Sequence, residues 1–190
     1  YYKINTYKAI KDEKQSLNDI EELLFKSVEY RLNSDVEVAS LLSGGIDSSL
    51  ISALYTKISG KKINTFTIGF DDEKYNEAEH AKTIAEYLGT NHTEYYMKNS
   101  DMLDLVEKLP FYYDEPFGDS SALPTMIVSK LARQSVTVAL SSDGGDEVFC
   151  GYSKYFFLNK FQNIFSNGFK REVLKVGLNL FSTTNVEYIN

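Results

Sequence analysis

This 190-residue sequence has one cysteine, no tryptophan and no long apolar run. The shortage of cysteine and the lack of a long apolar run each exclude a class of protein. The single cysteine, Cys150, rules out an internal disulfide and a cysteine-based zinc cluster, as is typical of the reducing cytoplasm. No segment approaches the roughly 18 apolar residues that a membrane-spanning helix requires. Residues 1–14 lack an initiator methionine and the apolar core of a signal peptide, so we expect a cytoplasmic piece of a longer chain.

Basic residues are outnumbered, because 20 Lys and Arg stand against 27 Asp and Glu and give a formal net charge of −7. Nucleic acids and acidic membranes both require a basic patch that displaces counterions, so we expect neither as a partner. The two histidines, His80 and His92, fall on different predicted elements and lack metal-ligand spacing. A phosphate-bearing ligand would therefore be held by backbone N–H groups or through a metal ion.

Short apolar strands alternate with amphipathic helices along most of the chain. The strands are predicted over residues 36–42, 63–70, 92–97 and 136–142. The helices are predicted from an N-cap at Ser16 to about Leu32, and over 46–58, 76–89, 101–109 and 125–134. This alternation predicts an α/β domain, a doubly wound parallel sheet with helices on both faces. The loops at 43–49 and 141–147 follow strands, so both should open at the carboxyl edge of the sheet, where such folds bind ligands.

The loop after the first strand reads SGGIDSS and combines glycines with hydroxyl residues at the start of a helix. Gly44 and Gly45 permit positive φ and close approach of the backbone, and Ser43, Ser48 and Ser49 add hydroxyls, which together suit a phosphate. The loop has no Walker A lysine, no dinucleotide glycine pattern and no nucleophile-elbow pattern. The alternative is a plain tight turn capped by serines.

Carboxylates in both loops point to a divalent metal. Asp47 would repel phosphates unless a cation lies between, and Asp146 in the second loop could supply another oxygen to Mg²⁺. The alternative for Asp143, Asp146 and Glu147 is N-capping of the following helix, which explains one acid better than three.

Four motifs in order carry a family resemblance. SGGIDSS resembles the pyrophosphate-binding loop of the N-type ATP pyrophosphatases, and LSSDGGDEVFCGY resembles the second signature of the glutamine-dependent asparagine synthetases. The segments FTIGFDDEKYNEAEHAKTIAEYLGTNHTE and DEPFGDSSALPT fall in that family's order and spacing, so the resemblance covers roughly residues 1 to 155. It implies the adenine nucleotide alpha hydrolase-like fold of the ATP pyrophosphatases.

The resemblance also implies a reaction. Members of the family use Mg-ATP to adenylate the side-chain carboxylate of aspartate, release pyrophosphate and let ammonia from glutamine displace AMP to give asparagine. In that chemistry charge builds on the leaving β,γ-pyrophosphate, which the enzyme must hold and neutralise. The implied cofactors are ATP and Mg²⁺, with Asp47 and Asp146 as the metal ligands and Asp143 as the catalytic acid beside them.

Carried over position by position, the resemblance assigns further residues. The implied ATP and pyrophosphate site comprises Leu41, Ser43, Gly44, Gly45, Asp47, Ser48, Ser49, Ile68, Gly69, Ser141 and Ser142. The substrate side falls on Asp114, Glu115, Asp119 and Ser120, for which turn and N-cap roles are the alternative. Two residues depart from the family pattern. Ser142 stands where glycine is usual and would be strained at positive φ, and Cys150 replaces a small residue and is interpreted as a packing residue.

The resemblance divides the chain into three parts. Residues 1–13 are expected to be the linker from a missing N-terminal glutaminase domain, 14–152 the ATP-pyrophosphatase synthetase domain, and 153–190 the start of a truncated helical segment. A homodimer is left open. Two other functions are also left open: a related adenylating amidotransferase acting on a sugar acid, peptide or β-lactam precursor, and a truncated ATP-binding module without turnover.

Overall fold

A four-stranded parallel sheet forms the centre of the fold. The computed structural model describes residues 12–70, 76–115 and 118–157, and the chain divides into two units, one ending at Ser142 and one beginning at Asp143. Parts of three predicted segments lie outside the described residues. These parts are residues 1–11 of the linker, residues 71–75 of the segment that begins FTIGF, and residues 158–190 of the C-terminal segment.

The order of the strands creates a switch point in the sheet. The strands are β1 (Val38–Leu41), β2 (Asn64–Phe70), β3 (Asn91–Met97) and β4 (Val138–Leu140). They lie in the order β3-β2-β1-β4 with all neighbours parallel, which confirms the predicted doubly wound sheet. The chain adds β2 and β3 on one side of β1 and then places β4 on the other side. Ligands of open parallel sheets bind beyond the carboxyl ends of the strands at such a reversal.

Seven helices with assigned bounds accompany the strands in the described part of the chain. They are α1 (Glu13–Leu32), α2 (Ile46–Ser59), α3 (Ala78–Leu88), α4 (Asn99–Val106), α5 (Leu109–Tyr112), α6 (Ala122–Arg133) and α7 (Gly145–Phe149). Among these helices of the described residues, none has the length and apolar character needed to cross a bilayer.

Successive residues of β1 point to opposite faces of the sheet and pack on different helices, as expected for the strand period of two. On one face Val38 packs in a cluster with Val28 of α1 and Leu54 of α2. On the other face Ala39 packs with Phe66 of β2 and Ala132 of α6. Helices therefore cover both faces, as predicted.

The middle of α2 is held to β1 by polar as well as apolar contacts. The hydroxyls of Ser40 and Ser52 lie 2.9 Å apart in the core, and the Tyr55 hydroxyl donates to the carbonyl of Val38 at 2.6 Å. Beyond the strand, Leu42 is buried against Ala81 and Ala85 of α3. These contacts fix the position at which the chain leaves the sheet.

The first helix begins earlier than predicted. Asp12, not Ser16, is the N-cap of α1, because the Asp12 carboxylate accepts the N–H of Gln15 at 3.2 Å. The hydroxyl of Ser16 instead donates to the Asp12 carbonyl at 2.8 Å, inside the first turn. Either residue type can cap a helix, so composition alone does not choose between them. The predicted helix at 101–109 is also divided, into α4 and the short α5.

Candidate functional site

A tight loop carries the chain from β1 into α2 at the carboxyl edge of the sheet. Gly44 has φ +87°, a left-handed conformation that L side chains rarely adopt. A Cβ at this position would lie 2.8 Å from the backbone nitrogen of Ala81 and 3.0 Å from the Cβ of His80. Conformation and space both require glycine here, so the loop is packed directly against the first turn of α3.

Serine hydroxyls fix the shape of this loop. The Ser48 hydroxyl is buried; it accepts the N–H of Ser43 at 3.2 Å and lies 3.0 Å from the Ser43 hydroxyl. The Ser49 hydroxyl donates to the carbonyl of Gly45 at 2.6 Å, and the Gly45 N–H donates to the hydroxyl oxygen of Ser43 at 3.3 Å. The alternative of a serine-stabilised turn is therefore partly right, since the hydroxyls stabilise the turn from within.

The N-terminus of α2 has no cap from a serine hydroxyl. Gly45 is the N-cap of this 14-residue helix, and its end has no capping bond from a side chain. The first N–H groups of a helix have no acceptor within the helix and form the positive end of its dipole. The loop therefore exposes backbone donors of the kind that bind anions at helix N-termini.

Asp47 lies in the first turn of α2 and is half-buried. Within residues 12–70, 76–115 and 118–157, no lysine or arginine pairs with its carboxylate. A carboxylate beside an anion site requires a cation, and Mg²⁺ binds through one or two carboxylates together with phosphate oxygens and water. The described residues contain no cluster of three or more metal-ligating side chains.

The remaining nucleotide-site predictions fall at the carboxyl ends of β1, β2 and β4. Leu41 ends β1, Ile68 and Gly69 lie near the end of β2, and Ser141 and Ser142 follow β4. At Gly69 a Cβ would lie 2.7 Å from the ring of Tyr96 on the neighbouring strand, so a larger residue there would have to displace that ring.

The conditional strain predicted for Ser142 does not arise. Among the described residues other than glycine, Cys150 alone has positive φ, at 57°. The prediction for Cys150 as a packing residue is wrong, because its side chain is exposed and the residue forms the left-handed C-cap of α7. The residue of this segment that takes a left-handed conformation without being glycine is therefore Cys150 and not Ser142.

In the second unit, capping of α7 explains one of the three acids in part. The N-cap of α7 is Gly144, with φ +92°. In the first turn, the carboxylate of Glu147 accepts its own backbone N–H and also accepts the hydroxyl of Tyr152 at 2.7 Å. The bond from Tyr152 lowers the pKa of Glu147 and raises the pKa of Tyr152 to about 12. Asp143 is exposed and Asp146 is half-buried.

Gly151 was missed by the sequence prediction. Its N–H donates to the carbonyl of Asp146 at 3.0 Å, and a Cβ on Gly151 would lie 1.9 Å from Oδ1 of Asp146. A glycine two residues beyond a short helix is a recognisable C-terminal signal, but sequence does not reveal what its missing side chain leaves room for.

On the predicted substrate side, one residue has a local role. Oδ1 of Asp119 accepts the N–H of Ser121 at 2.8 Å, and this bond lowers the pKa of Asp119. This is the turn role that the sequence left as an alternative. Asp114, Glu115 and Ser120 are exposed. Positions 116 and 117 between them lie outside the described residues.

Comparison with known sequences gives consistent matches. The asparagine synthase family model matches residues 19–181. The chain is 44% identical over 153 residues to a putative glutamine-hydrolysing asparagine synthetase of Methanocaldococcus jannaschii, covering 80% of the chain and 30% of that protein. It is 34% identical over 179 residues to a glutamine-hydrolysing asparagine synthetase of Bacillus subtilis, covering 93% of the chain and 28% of that protein. The chain thus spans under a third of these relatives.

Comparison with solved structures supports the fold. An NMN synthetase of Francisella tularensis matches with a TM-score of 0.51 at 19% identity, covering 71% of this chain and 58% of that one. A glutamine-dependent NAD⁺ synthetase of Acinetobacter baumannii, solved with adenosine diphosphate, matches with a TM-score of 0.50 at 18% identity, covering 78% of this chain and 29% of that one.

Proposed function

The chain belongs to the asparagine synthase family, and we propose that it is the ATP-binding core of a ligase that adenylates the side-chain carboxylate of aspartate. The observation that carries this proposal is the loop at the switch point, where Gly44 takes a left-handed conformation and the end of α2 has no side-chain cap. Backbone donors held in this way suit a multiply charged phosphate group. The adenylate so formed would be β-aspartyl-AMP, and ammonia would displace AMP to give asparagine.

The group held by this loop is the β,γ-pyrophosphate of ATP. Attack of a carboxylate on the α-phosphorus transfers negative charge to the departing β,γ-pair, so donors aimed at that pair act where charge develops. The N–H groups at the start of α2 are neutral donors. Their position is fixed within the loop by the hydroxyl of Ser48, which contacts the N–H and the hydroxyl of Ser43. Adenosine lies toward the ends of the strands, at Leu41, Ile68, Gly69, Ser141 and Ser142.

Asp47 and Asp146 are proposed as ligands of Mg²⁺. Asp47 lies one residue inside the helix end that binds the phosphates, and without a cation its charge would oppose binding. When bound, the ion would neutralise the phosphates and the leaving pyrophosphate. The assignment of Asp146 as a metal ligand follows the family pattern, and Asp146 lies in the first turn of α7.

The other proposed roles follow the family pattern. Asp143 is proposed to position the reacting groups or to manage the ammonia proton, and Glu115, Asp119 and Ser120 to line the substrate side. The two relatives above are named as glutamine-hydrolysing, which supports a glutaminase domain as the source of ammonia in the full-length protein.

The proposed role of Asp47 predicts that one substitution changes ATP affinity in opposite directions with and without Mg²⁺. In the full-length protein, Asp47→Ala should weaken ATP binding at least about tenfold when Mg²⁺ is present, because a ligand of the bridging ion is lost. In Mg²⁺-free buffer the same change should strengthen ATP binding, because a repelling carboxylate is gone. Titration calorimetry measures both. Glu13→Ala, which removes an acid from the first turn of α1, is the matched control and should change neither affinity. Equal affinities for Asp47→Ala and wild type would contradict the proposal.

The carboxylate substrate is tested by pyrophosphate release. The full-length protein should release pyrophosphate from ATP when aspartate is supplied, and much less with glutamate, sugar acids or peptides. Release with one of those acids and none with aspartate would identify a related amidotransferase. No release with any carboxylate, despite ATP binding, would identify an ATP-binding module without turnover.

A further inference from the structure

Gly151 lies directly against the carboxylate of Asp146. A Cβ added to Gly151 would lie 1.9 Å from Oδ1, 3.0 Å from Cγ and 3.3 Å from Cα of Asp146. Real Cβ atoms essentially never approach a heavy atom closer than 3.0 Å. The carboxylate therefore occupies space that any side chain at position 151 would need.

The end of α7 brings the two residues together. Cys150 adopts a left-handed conformation and its N–H donates to the carbonyl of Asp146. The following N–H, from Gly151, donates to the same carbonyl at 3.0 Å. Two consecutive donors thus turn the chain back over Asp146 and place Gly151 beside its side chain.

Glycine is needed at position 151 for space and not for backbone conformation. Gly44 and Gly144 have positive φ, whereas Gly151 is not among the glycines in that region. Its exposed position also means that an added methyl group would displace no core side chain. The three heavy atoms nearest to that methyl group, chain neighbours aside, all belong to Asp146.

We propose that Gly151 is a positioning residue that keeps the carboxylate of Asp146 where it can bind Mg²⁺. The inference rests on the proposed function, in which Asp146 is a metal ligand. An added methyl group would be accommodated most cheaply by rotation of the Asp146 side chain, since its oxygen is the free end of a flexible group. Mg²⁺ requires near-octahedral geometry at about 2.0–2.1 Å, so a displacement of about 1 Å removes a good ligand.

The test compares Gly151→Ala, Asp146→Ala and the double variant in the full-length protein. ATP binding is followed by calorimetry while the Mg²⁺ concentration is varied, and thermal unfolding is recorded in Mg²⁺-free buffer. Gly151→Ala should raise the Mg²⁺ concentration needed for half-maximal effect about tenfold or more, as losses of supporting residues around metals do. Its unfolding temperature without Mg²⁺ should stay close to that of the wild type.

The double variant separates positioning from a general structural role. If Gly151 acts through Asp146, adding Gly151→Ala to Asp146→Ala should change the Mg²⁺ requirement no further, because the affected group is already absent. Gly118→Ala is the control, since a Cβ there meets nothing within 4 Å. An unchanged Mg²⁺ requirement in Gly151→Ala, or losses that add in the double variant, overturns the inference alone. An unchanged requirement in Asp146→Ala overturns the metal assignment itself.

Discussion

The buried hydroxyl of Ser48 joins the first turn of α2 to Ser43, which lies between the end of β1 and the turn at Gly44 and Gly45. It accepts the backbone N–H of Ser43 at 3.2 Å and lies 3.0 Å from the Ser43 hydroxyl. A side chain of the helix thereby sets the conformation of the loop that precedes it. Preorganised donors of this kind need no rearrangement when charge develops on a ligand.

Replacing Ser48 by alanine should therefore lower both stability and nucleotide affinity. The N–H of Ser43 would lose its acceptor, at a cost of about 1–2 kcal/mol in the free energy of unfolding. Ser49→Ala is the matched control for stability, because the Ser49 hydroxyl donates to a carbonyl one turn back and its loss should cost less than about 0.5 kcal/mol. Urea denaturation measures the stability of both variants, and ATP titration measures the affinity of Ser48→Ala. Similar losses of stability in the two variants would refute the distinction.

The two adjacent glycines of the loop should respond very differently to alanine. Gly44→Ala adds a Cβ at positive φ and within 2.8 Å of the Ala81 nitrogen, so it should cost about 1–3 kcal/mol and weaken ATP binding. Gly45 has φ −68°, and a Cβ there would meet only the Ser43 hydroxyl at 3.4 Å. Gly45→Ala should therefore leave the unfolding temperature nearly unchanged. Equal destabilisation by both substitutions would contradict the packing of this loop on α3.

His92 should make the protein sensitive to mild acid. Burial lowers the pKa of this imidazole, whose Nδ1 lies 2.9 Å from the hydroxyl of Thr65 and whose buried Nε2 has no acceptor among the described residues. Nearby Glu94 opposes the shift and Lys82 adds to it. Since the folded pKa lies below the unfolded value of about 6.5, the stabilising contribution is complete above about pH 6.5 and is lost as the pH falls through the folded pKa.

The pH dependence of thermal unfolding checks this expectation. The wild type should lose stability below about pH 6.5, and His92→Gln should lose less over the same interval, because the glutamine side chain does not titrate. His80→Gln is the control, since His80 is exposed on α3. Parallel profiles for the wild type and His92→Gln would show that another group causes the acid sensitivity.

Hydrophobic patterning was sufficient to predict the sheet. Val38 and Ala39 alternate between two helical layers, and short apolar strands separated by helices leave few other arrangements. The tight glycine turn between β1 and α2 was also predictable, because Gly44 and Gly45 lie between a buried strand and a helix, while its binding of phosphate stays a prediction.

What sequence could not supply was the local choice between chemically similar groups. Asp12 and Ser16 can both cap a helix, and only the path of the chain decides between them. The exposure of Cys150 and the space left by Gly151 depend on how α7 ends, which is a matter of backbone angles. Asp119 has both a turn role and a proposed substrate role, and composition does not separate them.

The contact between Gly44 and α3 also constrains how this sequence can change over time. The loop and the helix on which it rests are more than thirty residues apart in the chain, yet a Cβ at position 44 would collide with the backbone at Ala81. Because the collision is with backbone, no change of side chain at position 81 can relieve it. Compensation would require α3 itself to shift, and α3 also packs on Leu42 and on the sheet. Position 44 is therefore closed to gradual substitution, whereas the exposed surface of α3 remains free to diverge.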